Sequence, residues 1–164
     1  MFRNKFLRFV AFFYNPLVKV SGNLQSLFLL WMRLTWGHQF FLAGSGKLSH
    51  IPEVVQSFTA LGLKNPEFHA HLVGWVEAIG GICLIAGFAS RLVSIPLAIT
   101  MITALSTAHY APLAHFRFLR EPSSLVHETP YPFLITSLLV LFFGPGRFAL
   151  DAWLKRWADK QPKY

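Results

Sequence analysis

The chain has 164 residues and one cysteine; 54% of its residues are hydrophobic, 13% are charged, and its mean hydropathy is +0.45. Soluble domains carry about 25% charged residues, and a domain this small cannot hide so much apolar surface. A water-soluble globule is therefore excluded, as are a disordered chain and a disulfide scaffold. One domain in a lipid bilayer remains.

Residues 1–23 mix basic side chains with an apolar, aromatic patch, Phe9–Tyr14, that stops at Asn15-Pro16. This predicts a basic interfacial segment lying on the membrane. A secretory signal would end in a small-residue cleavage site, and none stands out here. Four apolar runs close to the ~20 residues a crossing helix needs follow. They are Leu24 to Ala43 with one charge, Arg33; Leu72 to Ser90 with one charge, Glu77; Leu92 to Tyr110; and Thr129 to Gly146. None alternates with period 2, as a barrel strand would. The expected fold is all-α: a four-transmembrane-helix bundle over 24–151, then a basic tail, 152–164. Between the first two runs, Pro52 to Leu63 carries Val54, Val55, Phe58 and Leu61 at helical spacing and predicts a short surface helix. The second and third runs are joined by a tight turn near Ser90-Arg91. Pro96 marks a possible kink in the third.

The net charge of +8 reports orientation. Four spans put both termini on one side. That side holds ten basic residues, among them Arg3, Lys19, Arg91, Arg147, Lys155 and Arg156, against Lys47, Lys64, Arg117 and Arg120 on the other. The bias predicts cytoplasmic termini. It leaves no support for a nucleic-acid partner.

A charge at mid-bilayer costs at least ~2.5 kcal/mol on insertion scales. Arg33 and Glu77 have opposite signs, which predicts a buried pair that either locks the packing or handles a ligand or proton. By the run boundaries, Glu77 lies five residues into its span. Gly74, Glu77, Ala78 and Gly81 fall at i, i+3, i+4 and i+7, with Gly80 beside them. This small-residue face points Glu77 into the bundle. The seven histidines are His38, His50, His69, His71, His109, His115 and His127. By this topology all lie in the outer half of the membrane or outside it, so an outward-facing haem or copper site is one reading. Scattered loop histidines are the other. Cys83 stands alone, so the chain has no dithiol for disulfide exchange. Gly144-Pro145-Gly146 ends the fourth run, and Arg147 and Asp151, at i and i+4, are spaced to pair.

Arg33, Gly37, Phe40-Phe41, Gly44 and Lys47-Leu48 resemble the first helix and outer loop of the DoxX family. Glu77-Ala-Ile-Gly-Gly, Gly87-Phe-Ala-Ser-Arg91-Leu, His109, Glu128 and Phe143-Gly-Pro-Gly-Arg147-Phe-Ala-Leu-Asp151 extend the resemblance over about Leu24 to Asp151. The chain departs where many relatives have His-Gly before the lysine; here Ala43-Gly44 stands there. The resemblance implies a small four-helix inner-membrane protein linked to quinol oxidation. It implies a pocket lined by Arg33, Lys47, Glu77, His109 and Glu128, a bound quinone, and redox centres on a partner subunit. Gly80, Gly81, Arg91, Gly144, Gly146, Arg147 and Asp151 are then structural. Three other readings stand beside it: a non-enzymatic anchor or assembly factor for a partner enzyme or modified peptide, a metal- or haem-binding protein, and an oligomeric transporter.

Overall fold

The computed structural model describes residues 2–108, 126 and 128–160, and among them it is helical without a strand. Among the described residues six helices follow in order: α1 (Phe2–Ser49), α2 (Ile51–Ala60), α3 (Pro66–Ala86), α4 (Ser90–Ala108), α5 (Pro130–Phe143) and α6 (Leu150–Ala158). Helices α1, α3, α4 and α5 pack in a ring, α1 on α3, α3 on α4, α4 on α5 and α5 on α1; α2 lies against α3. Among the described residues two helices are long and apolar enough to cross a bilayer, Pro66–Ala86 and Ser90–Thr107; α5 is apolar but shorter.

The boundaries differ from the apolar runs. Residues 2–23 are helical and continuous with the first apolar run in α1, which continues past Ala43 through Gly44 and Gly46 to Ser49. Helix α3 starts at Pro66, well before Leu72. Proline at a first helical turn loses no bond, because that N–H has no helical partner. Glu77 is therefore eleven residues into α3, ~16 Å along it at 1.5 Å per residue, rather than near its end. Helix α4 runs on through Pro96.

The bundle is apolar outside, and it buries several polar side chains beside its apolar centre. Trp31, Leu34, Trp75, Ile79, Ile95 and Ile99 are exposed, whereas Arg33, Glu77, Ser94, Thr136 and Ser137 are buried. Water would not tolerate such a surface; lipid does. The hydroxyls of Ser94, Thr136 and Ser137 return to their own helices, Ser94 donating to the Ser90 carbonyl at 2.7 Å, Thr136 to that of Pro132 at 2.9 Å and Ser137 to that of Phe133 at 3.0 Å. Phe40, Leu84, Leu97, Met101 and Val140 form the apolar centre. Phe133 closes it, edge-on to Phe40 with ring centroids 4.7 Å apart.

Small residues set the α1–α3 distance. Gly37 and Gly44 on α1 face Gly74, Ala78 and Gly81 on α3, backbone against backbone. A Cβ on Gly81 would sit 2.5 Å from the Gly37 carbonyl oxygen and from the Phe41 nitrogen. Neither atom can yield without parting the helices. Gly81→Val should therefore lower stability by about 1–3 kcal/mol, the usual overpacking range, or more. Thermal unfolding in mild detergent reads this; an unchanged melt would show that the helices are not in close contact.

The α3–α4 turn explains the Gly87-Phe-Ala-Ser motif. Gly87 has φ +70°, and the Phe88 and Gly87 amides return to the carbonyls of Cys83 (3.0 Å) and Leu84 (3.2 Å). This is a Schellman ending, which favours glycine at its left-handed position.

Candidate functional site

Two buried charges organise the bundle, and they do not meet. The expected Arg33–Glu77 pair is corrected by the structure. Arg33 is completely buried and spends its guanidinium on backbone carbonyls. Nε donates to Leu84 O at 2.8 Å and Nη2 to Ile85 O at 3.0 Å, both at the end of α3. Nη1 donates to Pro145 O at 2.6 Å and, more weakly, to Phe148 O at 3.3 Å, in the turn after α5. The last carbonyls of a helix lack intrahelical partners and carry its negative dipole end. Arg33 satisfies such groups at the end of α3 and turn carbonyls after α5 at once, which a planar fork of five donors can do.

Asp151 completes this end of the bundle. Its carboxylate accepts from the amides of Ala89 (2.7 Å) and Ser90 (2.9 Å), and its own amide donates to Gly87 O at 2.9 Å. It caps α4 from a distant helix. Asp151 is also the anion whose charge acts on Arg33. The i, i+4 spacing to Arg147 led to a different expectation; the carboxylate oxygens instead serve the α3–α4 turn. Gly144, at φ +79°, ends α5, and its amide returns to Val140 O at 2.9 Å. The Arg91 guanidinium lies over Gly144, so a glycine there leaves room for it.

Glu77, 2% exposed, pairs with Lys47 from the last turn of α1. The pair faces a cavity of about 520 Å³ bounded by α1, α2, α3, α4 and α5. Phe40, Phe58, Leu61, Met101 and Phe133 give it apolar walls. His69, Thr100, Thr103 and Thr107 add polar atoms, and Thr129 and Pro130, next to Glu128, lie at its edge. Such a volume is in the ~300–1,000 Å³ range of small-molecule sites, and mostly apolar walls with a few polar groups are their usual composition. The hydroxyls of Thr103 and Thr107 donate to carbonyls four residues back at 2.9 and 2.8 Å, leaving their lone pairs toward other groups.

The structure thus brings Lys47 and Glu77 together in the cavity and places Arg33 elsewhere. His109, His115 and His127 lie outside the described residues. Among the described residues no three of His, Cys, Asp and Glu gather as a metal site would require. His50, His69 and His71 each donate from Nδ1 to the carbonyl four residues earlier, at 3.0–3.1 Å; His38 is exposed on α1. Of the described histidines, His69 lines the cavity. The sequence reading missed the threonine stripe and the roof supplied by α2 and its loop. Both left a signal: Thr100, Thr103 and Thr107 recur at i, i+3 and i+7, and Phe58 of α2 and Leu61 just after it recur at i and i+3.

The DoxX family model matches residues 28–110, which include Arg33, Lys47, Glu77 and most of the cavity wall. "Putative oxidoreductase CatD" of Bacillus subtilis (strain 168) is 31% identical over 122 residues, covering 74% of this chain and 83% of that protein. "Uncharacterized membrane protein Rv3486" of Mycobacterium tuberculosis (strain ATCC 25618 / H37Rv) is 28% identical over 130 residues, covering 76% of this chain and 80% of its own. No solved structure matches the chain. A helical bundle with an apolar exterior, this family match and these two relatives agree: the chain is a membrane protein and belongs to the DoxX family.

Proposed function

We propose that the chain is a quinone-binding subunit of a membrane oxidoreductase system, with the Lys47–Glu77 cavity as its binding site. The observation that carries this reading is the ion pair inside an otherwise apolar cavity. A quinone is a flat apolar ring with two carbonyl acceptors. Phe40, Met101 and Phe133 offer faces and edges for the ring, and the Lys47 ammonium offers a donor to one carbonyl. Glu77, released from Lys47 when the ligand enters, holds or passes a proton at its carboxylate. A bound quinone supplies two-electron chemistry. The electrons come from a redox centre on a partner subunit, because this chain has one cysteine and no dithiol. The name given to the Bacillus relative supports the oxidoreductase setting.

In this reading α1, α3, α4 and α5 all cross an inner membrane, with both termini cytoplasmic and the Lys47–Glu77 cavity toward the outer side. The bias of basic residues supports that orientation. The purified full chain should bind a short-chain quinone, and Glu77→Gln should weaken binding about tenfold, the loss of one charge-assisted bond. Equal binding by Glu77→Gln, or equal affinity for a ring lacking both carbonyls, would overturn the proposal.

A further inference from the structure

The other end of the bundle holds a second cavity, of about 580 Å³, between the start of α4, the end of α5 and α6. Arg91 and Lys155 line it together with Leu92, Phe143 and Gly144. Among the described residues, the Arg91 guanidinium makes one long bond, 3.5 Å to Phe142 O, and the Lys155 ammonium makes none. Asp151 also borders the cavity, but both its oxygens are engaged by the amides of Ala89 and Ser90. The local field is therefore positive. Asp151 tempers it without reversing it, since two cations face one bonded carboxylate.

Helix α6 says which anion suits the place. Leu150, Trp153, Leu154 and Trp157 recur at i, i+3, i+4 and i+7, and all four are exposed; α6 buries none of its residues. Its other face carries Asp151, Lys155, Arg156 and Asp159. Apolar residues with tryptophans on one face and basic groups on the other describe a helix lying in the membrane interface. Leu92 and Phe143 are exposed beside it and continue the apolar surface from α6 onto the bundle. A phosphate drawn to Arg91 and Lys155 thus has acyl-chain surface immediately next to it.

We propose that this notch is a docking site for an anionic phospholipid, whose phosphate sits between Arg91 and Lys155 while its acyl chains follow Leu92, Phe143 and the apolar face of α6. The site is distinct from the Lys47–Glu77 cavity and stands whether or not that cavity binds a quinone. Guanidinium binds phosphate through paired parallel bonds and ammonium binds it as a point charge. A zwitterionic headgroup adds its own cation next to both, and is disfavoured.

Delipidated full chain in mild detergent, titrated with phosphatidylglycerol or phosphatidylcholine and read by native mass spectrometry, tests this. The unaltered chain should retain the anionic lipid at least five-fold more than the zwitterionic one, about the factor one basic side chain contributes near an anionic surface. R91Q/K155Q should bring the two lipids to near parity, and R91K/K155R should keep the preference. If the double variant does not elute as a folded species, K155Q alone serves, since its exposed ammonium holds no part of the bundle together; it should lose most of the preference. Equal retention of both lipids by the unaltered chain, or an undiminished preference in the glutamine variants, would overturn the proposal.

Discussion

Arg33→Met is expected to be the most damaging single substitution in the bundle. Methionine matches much of the length of the arginine stem and keeps the packing. What disappears is every guanidinium bond to Leu84, Ile85, Pro145 and Phe148, and the Gly87 amide, at 3.2 Å, still reaches Leu84 O. A buried acceptor left without a partner costs about 1–3 kcal/mol. Several such losses together amount to a large part of the 5–15 kcal/mol that holds a typical domain. They also unlink the end of α3 from the turn after α5. Arg33→Lys should be nearly as harmful, because one ammonium cannot reach carbonyls on two separate segments. The test is elution and thermal unfolding of both variants in mild detergent. A melt like that of the unaltered chain would mean that Arg33 is not the clamp the structure makes it.

The second large effect concerns Lys47, and its sign depends on what is done to Glu77. Lys47→Met leaves a carboxylate that is 2% exposed without its cation. Breaking a fully buried pair from one side costs about 3–5 kcal/mol; the Lys47 side chain is 29% exposed, so water screens part of this and the loss falls below that range. Replacing both partners with apolar groups removes the desolvation penalty as well as the attraction, and is often neutral or stabilising. Lys47→Met should therefore destabilise the protein, and Lys47→Met/Glu77→Met should recover most of the loss. The double variant, though stable, should not bind quinone. Such a result separates the structural from the functional part of the pair. A double variant as unstable as the single one would show that the pair is needed for packing itself.

Much of the architecture is legible in the sequence because the period and length of apolar runs are local properties. The helical class, the surface helix near Pro52–Leu63, the tight turn before Arg91 and the stop at Gly144 all follow from short stretches of chain. The small-residue face around Glu77 is legible for the same reason. The partners of the buried charges are not. Arg33 bonds to carbonyls 51 to 115 residues away, and a carbonyl leaves no mark in the sequence because every residue has one. Charge sign alone favours Arg33 as the partner of Glu77, and the sign is right but the cation wrong.

The partner of Glu77 is hidden for a more specific reason. The apolar run ends at Ala43 and leaves Lys47 beyond the span, although the family resemblance sets it among the pocket residues. In the bundle Gly44 is where α1 meets Gly74 and Ala78 of α3, so the glycines permit contact instead of ending the helix. Helix α1 then runs to Ser49 and carries Lys47 to Glu77. The charge balance within the bundle changes accordingly. Lys47 neutralises Glu77, and the charge of Arg33 is met by helix-end carbonyls and by Asp151.

The most direct test of the central claim is photolabelling of the full chain in its native membranes with a photoreactive quinone analogue, followed by peptide mapping. The account predicts label on the cavity walls, within 40–47, 69–77 and 99–107. It predicts that excess unmodified quinone suppresses the label and that Lys47→Met/Glu77→Met abolishes it. Label spread over the lipid-facing surface, or label that persists under competition, would contradict it.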